Sequence, residues 1–199
     1  MALCLNVLSL PDEHIQFLKH EPQTLQDYLL GQIPTVQTFA AAKPQPLLVQ
    51  FVRLLSGAKK PTLPLDWPST EMEMIGPDVN HRNVDLYHYI LNNTEARVKG
   101  AGSLFQTWLD INNHDAIKMD ADNESFAFQS LMLPELSALL ARLDEQTVRD
   151  RFNAWLLEHN PDYLPREDEY LEMTQGWQGF YTKVSEAERQ GFGLLWVTQ

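Results

Sequence analysis

At 199 residues and 22.9 kDa the chain is long enough to bury about 70% of its unfolded surface, so neither a disulfide nor a metal is needed to hold a core. Its 44% hydrophobic and 21% charged residues are an ordinary globular mixture rather than a disordered or fibrous one. Fifteen Lys and Arg against 27 Asp and Glu leave a formal charge of −12, which argues against a nucleic acid or an anionic membrane surface as partner, since both call for clustered cations.

Residues 2–10 form a short apolar run ended by Pro11 and read as a strand, although period alone does not say whether both of its faces are buried. Pro11, Asp12 and Glu13 suit the first turn of a helix, with Ile15, Phe17 and Leu18 as its apolar face and an end near Pro22. Residues 24–30 give a second short helix stopped by Gly31. Residues 45–55 give a third, with Leu47, Leu48, Phe51, Leu54 and Leu55 on one stripe. Pro61, Pro64, Pro68 and Pro77 then rule out a regular element over 58–80, and Trp67 and Ile75 make that segment a packed loop rather than a free linker. A loop of that length is a natural place for a binding surface.

Helices follow at 83–91, with Val84, Leu86, Tyr87, Ile90 and Leu91 apolar, and at 103–111. Residues 112–125 are polar and acidic. A helix at 134–142 carries Leu136, Leu139, Leu140 and Leu143, and Asp144 is placed to cap a further one containing Val148, Phe152, Trp155 and Leu156. The last helix, 167–189, is the clearest, because Tyr170, Met173, Trp177, Phe180 and Val184 step by three and four. Gly176 and Gly179 inside it point to close packing against another element. Gly191 ends it, and 192–197 reads as a terminal strand sharing one small sheet with the first. The expected architecture is α+β: a single domain over 1–199, with a small sheet that includes the N- and C-terminal strands and is covered by several helices.

Cys4 is the lone cysteine, so no intrachain disulfide forms. The apolar N-terminus carries no Lys or Arg and is cut short by Pro11-Asp12-Glu13, unlike a signal peptide, and no run of about 18 apolar residues occurs. These features lead us to expect a cytoplasmic protein.

The charge is uneven: residues 1–60 carry net +1, residues 61–130 net −7 and residues 131–199 net −6. Asp110, Asp115, Asp120, Asp122 and Glu124 fall in one stretch suited to steering a basic partner, and Trp67 is the candidate aromatic anchor for it. His81, Asp85 and His88 fall on one helix face and could converge on a metal or a small-molecule substrate, yet the tyrosines around His88 fit an edge-of-core histidine equally well. Asp120 to Glu124 begins like a calcium loop, but Ser125 stands where that loop has glycine and Leu131 where it has glutamate. Gly100-Ala101-Gly102-Ser103 lacks the third glycine of a phosphate-binding turn. The residues therefore lead to no metal site and no cofactor.

The segments Val84 to Asn92, Phe126 to Glu135, Leu143 to Phe152, Asp162-Tyr163-Leu164-Pro165 and Phe180 to Val197 occur in the order found in the YfbM-like family of small bacterial proteins, a domain of unknown function, which this chain resembles. Tyr87 stands where that family often has tryptophan. The resemblance implies a small sheet with a helical cover and no agreed activity. Proteins of this size and acidity include immunity proteins that neutralise bacterial toxins. Charge and analogy together favour a non-enzymatic binding protein, monomeric or a weak homodimer, that occludes a basic toxin domain. A metal- or small-molecule-dependent enzyme using His81, Asp85 and His88 is the alternative, and self-pairing through a sheet edge near 192–198 is a third possibility.

Overall fold

A computed structural model describes residues 4–35, 62–76, 79–106, 116–119 and 125–198. It is a mixed α+β fold whose open five-stranded sheet runs β2-β1-β5-β4-β3, all neighbours antiparallel. The strands are β1 (Cys4–Pro11), β2 (Val79–Asn80), β3 (Ile117–Lys118), β4 (Ser125–Phe128) and β5 (Phe192–Thr198). The helices are α1 (Asp12–His20), α2 (Leu25–Leu29), α3 (Val84–Asn92), α4 (Leu133–Leu140), α5 (Glu145–His159) and α6 (Glu167–Gln190). The expected helix at 45–55 lies outside the described residues, as do 107–111 of the one expected at 103–111. The start of that second segment differs from expectation: Gly100–Ser103 is a 3-10 helix, followed by a hydrogen-bonded turn to Gln106. Gly100 takes φ +72, which an α-helix does not use, so the chain enters this segment by a turn.

Contacts divide the chain into two compact units, residues 1–12 with 74–199, and residues 13–73. In the larger unit the first and last strands pair as expected, Val7 opposite Trp196 and Leu8 opposite Leu195. β5 lies between β1 and β4, so it offers no free edge for the self-pairing considered as a third possibility near 192–198. Period-two alternation divides the strands cleanly. Val7, Phe126, Phe128, Leu194 and Trp196 join the main core, while Leu8, Leu10, Ala127, Leu195 and Val197 are buried on the other face. The sheet is thus apolar on both sides, which explains why its strands read as continuous apolar runs.

The helical cover is fixed by its termini. Asp144 accepts from the Thr147 backbone N–H at 2.7 Å and starts α5, as its position predicted. Arg151 of α5 donates to the carbonyls of Ile90 and Leu91 (3.1 Å for the latter), satisfying the open end of α3. The Asp12 carboxylate accepts from the Ser130 N–H at 2.8 Å and hydroxyl at 2.7 Å, holding the turn that leads into α4. Trp177, Phe180, Val184 and Ala187 form the buried stripe of α6. Gly176 and Gly179 correct the expectation of close packing: a Cβ at either position would meet nothing within 4 Å.

In the smaller unit, Gly31 stops α2 with φ +65 and sits so close to Thr70 that a Cβ would lie 2.1 Å from its carbonyl oxygen. Residues 62–73 form no helix or strand. The Met72 N–H donates to Leu29 O at 2.9 Å, and the Trp67 indole N–H donates to Gln32 O at 2.8 Å.

Candidate functional site

The residues singled out by sequence fall in different places. Asp110, Asp115, Asp120, Asp122 and Glu124 lie outside the described residues. Trp67 is half-buried, edge-on to Phe17 (5.5 Å between centroids) and Tyr28 (5.0 Å), so its ring and its N–H are both engaged within its own unit. His88 is buried. Its Nε2 lies 3.0 Å from the Ala96 carbonyl, which can only accept, so Nε2–H donates and Nδ1 accepts from Asn92 Nδ2 at 3.2 Å. Burial pushes its pKa below the usual histidine value. Both ring nitrogens are thereby committed, and the edge-of-core reading describes His88. Asp85 is exposed on the same helix.

The smaller unit holds a hydroxyl–imidazole–carboxylate chain that sequence reading did not identify. Tyr28 Oη lies 2.8 Å from His14 Nδ1, and His14 Nε2 lies 2.9 Å from Asp66 Oδ1. Tyr28 and His14 are only 1% and 2% exposed, so the hydroxyl is sealed from any reactant. Burial first, and the Asp66 charge second, raise the Tyr28 pKa well above the tyrosine range. This is a satisfied structural network.

In the larger unit the chain builds an open, aromatic face. Trp155, Leu156 and Leu157 are consecutive on α5, and three successive residues span about 200° of a helix, so they cannot all face inward. Leu157 is left 75% exposed. Beyond the helix, Pro161 and Pro165 bracket a turn that presents Tyr163 at 42% and Leu164 at 86% exposure. These residues, with Leu156 and Tyr170, line a groove of about 240 Å³.

Tyr163 also lines a second cavity, a cleft of about 360 Å³. Leu86 and Tyr87 of α3, Phe152 of α5, and Met173 and Trp177 of α6 form its apolar lining. The open flank of α6 at Gly176 and the carboxylates of Glu169 and Glu172 border it. Tyr87, Phe105 and Trp177 touch pairwise at 5.4 to 5.6 Å, and Phe105 stands edge-on to Trp196 of β5, so the aromatic wall is anchored to the sheet.

The polar border is equally ordered. The Tyr163 hydroxyl donates to Glu169 Oε1 at 2.6 Å, and the Arg166 backbone N–H donates to Glu169 Oε2 at 2.8 Å. The Tyr163 hydrogen bond first, and the backbone one second, hold the Glu169 carboxyl below its usual range. Arg149 pairs with Glu167 and lies over the Tyr170 ring, 4.2 Å from its centroid. Residues 158–172 carry six acidic groups against Arg166 alone, a net −5. The face suits a partner that brings an apolar side chain together with a guanidinium or ammonium. In the sequence Asp162 to Pro165 carries only the family resemblance and no motif of its own. The signal lay in an unburiable leucine on α5 followed by a Tyr-Leu pair held between two prolines.

Among the described residues two groups of side chains could hold a metal ion: Glu13, His14 and Asp66, and Glu95, Glu158 and His159. In the first, His14 already uses both nitrogens. No described helix is long and apolar enough to cross a membrane.

No protein-family model matches the chain, and no curated protein does. A solved structure described as a protein of unknown function, YfbM from Escherichia coli, aligns over 98% of this chain and 99% of its own length, with a TM-score of 0.50 at 14% identity. The fold implied by the sequence resemblance is therefore borne out along both chains. Fold alone does not carry function. The chain is similar in architecture to YfbM, and at 14% identity the likeness extends to the fold and no further.

Proposed function

We propose that this chain acts by binding a basic protein through the face around Tyr163, in the manner of an immunity protein that occludes a toxin. The observation that carries this reading is the joint exposure of Leu157, Tyr163 and Leu164 beside a run of carboxylates. Exposed apolar groups that adjoin on a monomer surface mark interaction sites, and a charged border steers the encounter. In this reading Tyr163 and Leu164 are the anchors in place of Trp67. The carboxylates of Asp110, Asp115, Asp120, Asp122 and Glu124 add long-range steering.

The test is co-expression with the product of the reading frame adjacent to this chain's gene. Rescue of growth, co-purification, and loss of both on Leu164→Lys are expected. Failure to co-purify together with failure to rescue refutes the reading.

A further inference from the structure

We infer that Glu95, Glu158 and His159 form a binding site for a zinc-type divalent cation. Glu158 also belongs to the run of carboxylates beside the Tyr163 face, but the site is read out with zinc alone, so its success or failure is distinguishable from that of the partner-binding reading.

The imidazole of His159 is fixed in the manner of a metal ligand. Its Nδ1 lies 3.0 Å from the Trp155 carbonyl, one helical turn earlier, and its ring stacks on the Trp155 indole at 3.8 Å and 8°. A carbonyl only accepts, so Nδ1 carries the proton and the lone pair of the neutral ring sits on Nε2. Such a hydrogen bond on the far nitrogen fixes the tautomer and orientation of metal-bound histidines.

Nε2 faces Glu95 Oε1 at 3.6 Å. Zinc bonds of about 2.0–2.2 Å to nitrogen and oxygen at a tetrahedral angle set the ligand atoms roughly 3.4 Å apart. The observed separation is close to that value and longer than a direct hydrogen bond. One ligand atom from each of Glu95, Glu158 and His159 lies within 4.8 Å of the others. Glu95 and His159 line a cavity of about 280 Å³ together with Asp85, which stands outside the group of three ligands.

The loop carrying Glu95 is held from both sides. Asn93 takes the left-handed conformation at φ 55 and ends α3, the Gln106 side chain donates to Glu95 O at 3.4 Å, and His88 donates to Ala96 O at 3.0 Å. His88 thus positions the loop rather than ligating. The loop after α3 and the end of α5 supply one imidazole and two carboxylates, and the imidazole favours zinc and its transition-metal neighbours over magnesium or calcium. The three ligands come from segments that sequence spacing does not link, so no sequence motif announces them.

The test is titration of chelator-stripped protein with Zn2+ alone, by calorimetry and by the 15N shift of the His159 ring. The expected result is one Zn2+ per chain, a shift at Nε2 rather than Nδ1, and affinity lowered at least about tenfold by His159→Gln and by Glu95→Gln. Glu71→Gln, at an exposed position of the smaller unit, leaves the affinity unchanged. Circular dichroism confirms that the variants fold. Zinc binding equally well to the His159→Gln/Glu95→Gln double variant, no binding at all, or displacement by equimolar Mg2+ would each overturn the site.

Discussion

Gly176 and Gly179 allow stability and binding to be separated on one helix. Both lie on exposed positions of α6, and an added Cβ would meet nothing within 4 Å at either. Glycine in a helix interior costs about 0.8–1.0 kcal/mol against alanine, so Gly176→Ala and Gly179→Ala should each stabilise the chain by nearly that amount. For a chain of this size 1 kcal/mol raises the melting temperature by roughly 2–4 °C, well within the reach of calorimetry. Only Gly176 borders the aromatic cleft. Leucine is nearly as good a helix former as alanine, so Gly176→Leu and Gly179→Leu should stabilise alike. The first places a branched side chain against a cleft of about 360 Å³ and should weaken partner capture at least about tenfold, as expected for obstructing an interface anchor pocket; the second should not. Destabilisation by Gly176→Ala, or an equal effect of the two leucine variants on capture, would refute this assignment of the two faces.

His88 gives a pH dependence of known sign. Burial lowers its folded pKa below 6.5, so the unfolded chain takes up a proton first as pH falls. Its contribution is present above 6.5 and is lost as pH drops below that value, so the urea midpoint should fall between pH 7.5 and 5.5 and fall less in His88→Gln; parallel declines would contradict it. The lowered carboxyls of Asp144, Glu167 and Glu169 act in a separate window, losing their contribution only as pH falls below about their unfolded values near 4. Asp144→Ala removes the acceptor for the Thr147 N–H and should cost about 1 kcal/mol in thermal or urea unfolding, whereas Asp144→Ser should recover most of it.

What was legible in the sequence was periodicity long enough to be unambiguous. The three-and-four spacing from Tyr170 to Val184 located α6, Gly191 its end, and Asp144 the start of α5. The strands β2 and β3 have two residues each and are defined by their partners, so no local pattern announces them. The 3-10 helix at Gly100–Ser103 was hidden because its apolar followers fit an α-helix just as well. Trp67 looked available because nothing in its own proline-rich segment covers it; its neighbours Phe17 and Tyr28 come from another part of the chain. The open glycines illustrate the converse, since glycine in a helix marks either close approach or its absence, and sequence does not distinguish them.

The central claim is that the face around Tyr163 holds a basic protein. The most direct measurement is the dissociation constant for the product of the adjacent reading frame, taken at low and high salt for the native chain and for Leu157→Ser/Leu164→Ser. Burying each leucine is worth about 1.5–3 kcal/mol, so the double variant should bind at least a hundredfold more weakly, and added salt should weaken the native complex through its carboxylates. Equal affinity for the double variant, or binding indifferent to salt, would contradict the account.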